Sequence, residues 1–69
     1  MADLFKDDVP TDYPIGQQIR EVRREIEMRE RVYPNWVRKG TLDQDTARYR
    51  VAVMRSVLST LEKEQRDAE

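Results

Sequence analysis

Two blocks of apolar residues at helical spacing, parted by a proline and a glycine, set the limits on how this chain folds. In the first block Ile15, Ile19, Val22 and Ile26 follow 4-3-4 steps, which align them on one seam of a helix. The same count continues to Arg29, Tyr33 and Trp36. In the second block Ala47, Val51, Met54, Leu58 and Leu61 keep 4-3-4-3 steps. Tyr49, Val53 and Val57 form a second stripe beside them, so the apolar face is wider than a strict two-strand seam. The spacing predicts an all-α helical hairpin over residues 15–66. A lone hairpin leaves one side of so wide a face wet, and two hairpins stacked face to face as a homodimeric four-helix bundle would cover it. In that reading Ile15, Ile19, Val22, Ile26, Val51, Met54, Leu58 and Leu61 form the core and the dimer contact.

Local signals place the ends of these helices. The first begins near Pro14 or Ile15, because a proline at the first helical position gives up an N–H that has no partner there. Asp12 is a candidate cap. At Val32-Tyr33-Pro34 the helix is expected to break, since proline removes a hydrogen bond and disfavours α geometry at Tyr33. A short helical turn from Asn35 to Lys39 would then end at Gly40, a residue suited to the left-handed position after a helix. Thr41-Leu42-Asp43-Gln44 matches a capping box and predicts that the second helix starts near Leu42. Residues 1–14 read as an acidic arm, with Asp3, Asp7, Asp8 and Asp12 against Lys6; Leu4, Phe5, Val9 and Tyr13 give it apolar points that a groove could receive. Residues 67–69 read as a frayed tail.

The chain has 69 residues and neither cysteine nor histidine. A chain of that length buries only about 60% of its unfolded surface and holds a marginal core. Small folds usually add disulfides, a metal or a partner chain. The missing residue types remove disulfides, thiolate and imidazole ligands and the usual general base, so a second copy is the expected staple. Ser56, Ser59 and Thr60 have no histidine to activate them. Glu21, Glu25, Glu27 and Glu30 alternate with arginines, which is the pattern of a solvated helix face. Asp43 and Asp45 lack the rest of a calcium loop. The expectation is a non-enzyme with no cofactor and no metal. The start of the chain does not read as a secretion signal, and no apolar run approaches a membrane span, so a cytoplasmic location is expected.

Between Arg20 and Arg55 ten basic residues face six acidic ones. That excess raises a rival reading, a small dimeric DNA-binding regulator. Acids alternate with bases along the first helix, and no clean basic recognition helix stands out, so nucleic acid is the lesser partner. The connection between the helices is more distinctive. Tyr33, Trp36 and Val37 cluster there with Arg31, Arg38 and Lys39, and Trp, Tyr and Arg are the types that anchor protein interfaces. A lone tryptophan in a small core more often packs than recognises, so closing the open end of the bundle is the competing role for Tyr33 and Trp36. Arg29 on the seam either snorkels at the bundle edge or contacts a partner. The candidate partner-binding residues are Arg29, Arg31, Tyr33, Trp36, Arg38, Lys39 and Tyr49.

The stretch Arg31-Val32-Tyr33-Pro34-Asn35-Trp36-Val37-Arg38-Lys39-Gly40-Thr41-Leu42, followed by Ala47 and then by Met54-Arg55-Ser56-Val57-Leu58-Ser59-Thr60-Leu61, resembles a family of small proteins encoded by phages and prophages. Its pattern is Tyr-Pro-any-Trp-Val, a nearby Gly and Leu, then a helix carrying Met and Val-Leu-any-Thr-Leu. The likeness spans roughly residues 20–62 and leaves out the acidic arm. Size and motif together are similar to the anti-activators of quorum sensing from Mu-like phages of Pseudomonas. That resemblance implies a helical homodimer that binds and blocks a LuxR-type host transcription activator. It also implies binding to the ATPase that drives type IV pilus assembly, which excludes competing phages. It supplies no site residues.

Overall fold

The computed structural model describes residues 10–69. The residues of the acidic arm from 1 to 9 lie outside the described region. The chain forms two helices, α1 (Ile15–Lys39) and α2 (Gln44–Ala68), packed against each other as a hairpin. They run antiparallel: Arg23 reaches Glu62, Glu30 reaches Arg55 and Gly16 lies beside Gln65. The all-helical hairpin expected from the apolar spacing is therefore present.

Three boundaries differ from the sequence expectation. First, α1 does not break at Pro34; it runs unbroken from Ile15 to Lys39 with the proline inside. The N–H that proline lacks would have bonded the Glu30 carbonyl. Pro34 and Glu30 are both exposed, so water can take that carbonyl. Tyr33, one residue earlier, is buried and holds the backbone against α2. Tertiary packing thus overrides a local preference.

Second, the helix-capping residue before α2 is Asp43, not Thr41, and α2 begins at Gln44. The Thr46 N–H donates to the Asp43 carboxylate at 3.1 Å. Thr41 belongs to the end of α1 instead. Gly40 takes φ 80°, the left-handed conformation. The Gly40 N–H donates to the Val37 carbonyl at 3.0 Å and the Thr41 N–H to the Trp36 carbonyl at 2.9 Å. This pair of bonds closes the helix end as a Schellman motif. The Thr41 hydroxyl donates to the same Trp36 carbonyl at 3.1 Å, so it is not available to cap α2. Asp43→Ala is expected to cost about 1 kcal/mol, read as a lower urea midpoint. Thr41→Ala is expected to cost less than half of that. The reverse order would restore the capping box.

Third, α2 runs on to Ala68 rather than ending at residue 66. At the start of α1, Asp12 does not cap. Pro14 occupies the cap position without a side-chain bond, and the Gln17 and Gln18 N–H groups donate to its carbonyl. The Gln18 side chain donates to the Tyr13 carbonyl at 2.7 Å, which ties the entering chain to the first turn.

The core is thin. Ile19, Ile26 and Tyr33, spaced by sevens along α1, are buried, together with Ala47 of α2. Ile15, Val22, Val51, Met54, Leu58 and Leu61 are half-buried. Among the described residues no side chain is sealed below 2% exposure. None of the described buried polar side-chain atoms lacks a hydrogen-bond partner, and among the described residues no helix is long and apolar enough to cross a membrane.

Candidate functional site

The hairpin has two unlike sides, and residues seven apart identify them. On one side Arg23 bonds Glu62 at 2.6 Å and Arg55 bonds Glu30 at 2.6 Å. Glu30 follows Arg23 by seven residues, and Glu62 follows Arg55 by seven. Both ion pairs therefore lie on the same side. Arg23 is 55% exposed and Arg55 60% exposed, so each pair adds less than about 1 kcal/mol and acts mainly to hold register.

On the other side Arg29 crosses between the helices. Its Nε donates to Glu25 at 2.9 Å and its Nη1 to the Arg50 carbonyl at 3.2 Å. Its side chain is 23% exposed. Trp36 follows Arg29 by seven residues, and Val57 follows Arg50 by seven. Trp36, Val53 and Val57 thus share this side, with Tyr49 one turn before Val53. All four are exposed: Trp36 43%, Tyr49 69%, Val53 42% and Val57 38%. The second apolar stripe of α2 is left uncovered by the hairpin itself.

The ion-paired side carries a groove of about 820 Å³ near the helix connection. Tyr33, Val37, Ala47 and Val51 line its floor, and Arg48 and Arg55 stand at its edge. Arg48 has no carboxylate partner among the described residues.

The residues expected to bind a partner therefore separate. Tyr33 is buried and its ring packs 5.6 Å from that of Trp36; it belongs to the core and the groove floor rather than to an exposed anchor. Arg29 is occupied in bridging the helices. Arg38 donates to its neighbour Asn35 at 3.2 Å. Arg31 and Lys39 are exposed. Trp36 and Tyr49 are the two aromatic residues presented outward at the connecting end. Val53 and Val57 belong to the second stripe that the spacing expects a lone hairpin to leave wet, and both are exposed. Arg48 and Arg55 count among the ten basic residues between Arg20 and Arg55, but the sequence does not place them at a groove, because the groove joins residues from two helices; their spacing of seven on α2 was the available signal.

No group of three or more carboxylates that could hold a metal ion occurs among the described residues. Comparison with protein-family models, with curated proteins and with solved structures returns no match. What the chain does is thus argued from its own surfaces.

Proposed function

We propose that this chain is a non-enzymatic protein-binding inhibitor that pairs with a second copy and acts by steric occlusion. The observation that supports it most is the outward display of Trp36, Tyr49, Val53 and Val57 on one side of a hairpin with four buried side chains among the described residues. Exposed apolar residues in such a cluster mark interaction surfaces on small proteins, and tryptophan and tyrosine are the usual anchors. One part of this face suits a second copy, which would complete a four-helix bundle. The aromatic end with Arg31, Arg38 and Lys39 suits the target. The resemblance to phage anti-activators supplies the target class: a LuxR-type transcription activator in the host cytoplasm, with the pilus-assembly ATPase as a second. By covering such a protein the dimer denies it its DNA, its own partner subunit or its motor contact.

The test uses the full chain against a purified LuxR-type activator and against duplex DNA. The double variant Trp36→Ala with Tyr49→Ala should bind the activator at least tenfold more weakly while its helical circular dichroism is unchanged. Unaltered binding by that variant, or binding to DNA alone with a steep salt dependence, would overturn the reading. Sedimentation at tens of micromolar should give twice the 8.3 kDa chain mass; a monomer mass would remove the dimer.

A further inference from the structure

The groove on the ion-paired side is unused by the function proposed above, and one of its walls breaks a rule of helix construction. Pro34 sits inside α1, where proline is the costliest residue a helix can hold. It lines the groove together with Glu30, four residues earlier, whose carbonyl receives no N–H from it. Both residues are exposed, so the proline does not serve the buried seam. Departures of this kind from local preference concentrate at working surfaces. The result is a backbone acceptor at the edge of an apolar floor built by Tyr33, Val37, Ala47 and Val51.

The opposite wall carries charge. Arg48, Ala52 and Arg55 of α2 line it. Arg55 is answered by Glu30, and Arg29 by Glu25, whereas Arg48 has no carboxylate partner among the described residues. The charged residues that line the groove are three arginines and one acid, so the occupant that answers them is acidic. The apolar floor favours a polypeptide over a nucleic-acid backbone, which needs cations along its track and gains little from valine and alanine. On α2 the groove runs from Gln44 to Arg55, about 16 Å or three turns of helix. A channel of that length between two antiparallel helices suits a third helix laid with its apolar face inward. Arg48 and Arg55 are seven apart, and carboxylates at i and i+7 of a bound helix recur on one face at the same interval.

We propose that this groove docks an acidic amphipathic helix of another protein. Apolar side chains of that helix at i, i+3 and i+7 rest on Tyr33, Val37, Ala47 and Val51. Its carboxylates meet Arg48 and Arg55, and one donor-tipped side chain reaches the Glu30 carbonyl. Tryptophan suits that last place, because its ring covers apolar floor while its N–H donates. Pro34 thereby gives up helix stability for a free acceptor, a trade found where a surface has work to do. This side is separate from the one that presents Trp36, and docking here is independent of what that face binds.

The probe is a fluorescein-labelled helical peptide of about four turns, with leucines and one tryptophan on one face and glutamates flanking them. A second peptide carries lysine at every glutamate. With the full-length chain the acidic peptide should saturate on the order of tens of micromolar, and amide shifts should move at Val37, Ala47, Arg48 and Ala52. Binding of the lysine peptide, and of the acidic peptide to Arg48→Glu, should be weaker by at least about tenfold. Pro34→Ala supplies the N–H that occupies the Glu30 carbonyl. It should weaken binding about fivefold while raising the melting temperature, so the loss is not one of folding. Tyr49→Ala alters the face assigned to the inhibited target and should leave the affinity for the peptide unchanged. Equal binding of the two peptides, no amide shift at the groove with about one millimolar peptide, or unchanged binding by either Pro34→Ala or Arg48→Glu would overturn the proposal. So would shifts confined to the Trp36 side, or tighter binding of a duplex oligonucleotide at the same residues. The same shifts on raising the concentration of the chain alone would give the groove to a second copy and overturn it as well.

Discussion

Replacing Pro34 with alanine is expected to stabilise the hairpin by about 2 kcal/mol. A proline inside a helix costs about 3 kcal/mol relative to alanine, through its missing donor and the clash of its ring with the preceding turn. Here the site is exposed, and solvent offsets part of the lost bond. For a domain of this size a gain of that order raises the melting temperature by about 10 °C. Thermal unfolding followed by circular dichroism at 222 nm checks it. A lower melting temperature would mean that the ring, which also lines the groove, contributes more by packing than it costs in the backbone. The comparison is informative because α1 is continuous through this position, so the alanine variant changes no helix boundary.

The largest loss is expected from Ile26→Ala. Ile26 is one of four buried side chains among the described residues and sits between Ile19 and Tyr33 on the seam. Truncating a buried isoleucine costs about 2–4 kcal/mol from lost transfer free energy and the cavity left behind. Small domains have total stabilities near the lower end of about 5–15 kcal/mol. The variant should therefore lose most of its cooperative urea transition at 25 °C. Val53→Ala serves as the control: that side chain is 42% exposed, and a monomeric hairpin should lose less than about 0.5 kcal/mol there. If Val53→Ala proves as damaging as Ile26→Ala, and the loss grows on dilution, a second chain is covering the exposed stripe.

Much of the architecture could be read from spacing. The 4-3 steps from Ile15 to Ile26 and from Ala47 to Leu61 named both helices and the residues that line their contact. Gly40 named the end of α1. Pro34 misled because the rule it carries is local, whereas Tyr33 is held from outside its own helix by α2. Thr41 misled because two helix ends compete for it, and the Schellman turn at Gly40 takes it first. The surfaces were less legible than the fold. Periodicity says which residues share a face but not how far the neighbouring helix covers it. Tyr33 and Trp36 are both aromatic, three apart on one seam, yet one is buried and the other 43% exposed. The groove at Arg48 needs Val37 and Tyr33 from the other helix to exist, so no single stretch of sequence announces it.

The two helices have the same length, 25 residues each, and join through residues 40–43. Gly16 consequently lies beside Gln65, and both strands of the polypeptide leave from the same pole of the rod. A fluorophore placed at Gly16 or at Gln65 would therefore sit beside the other position, about 30 Å along α1 from Trp36. Labels at these positions should leave the aromatic pole unobstructed.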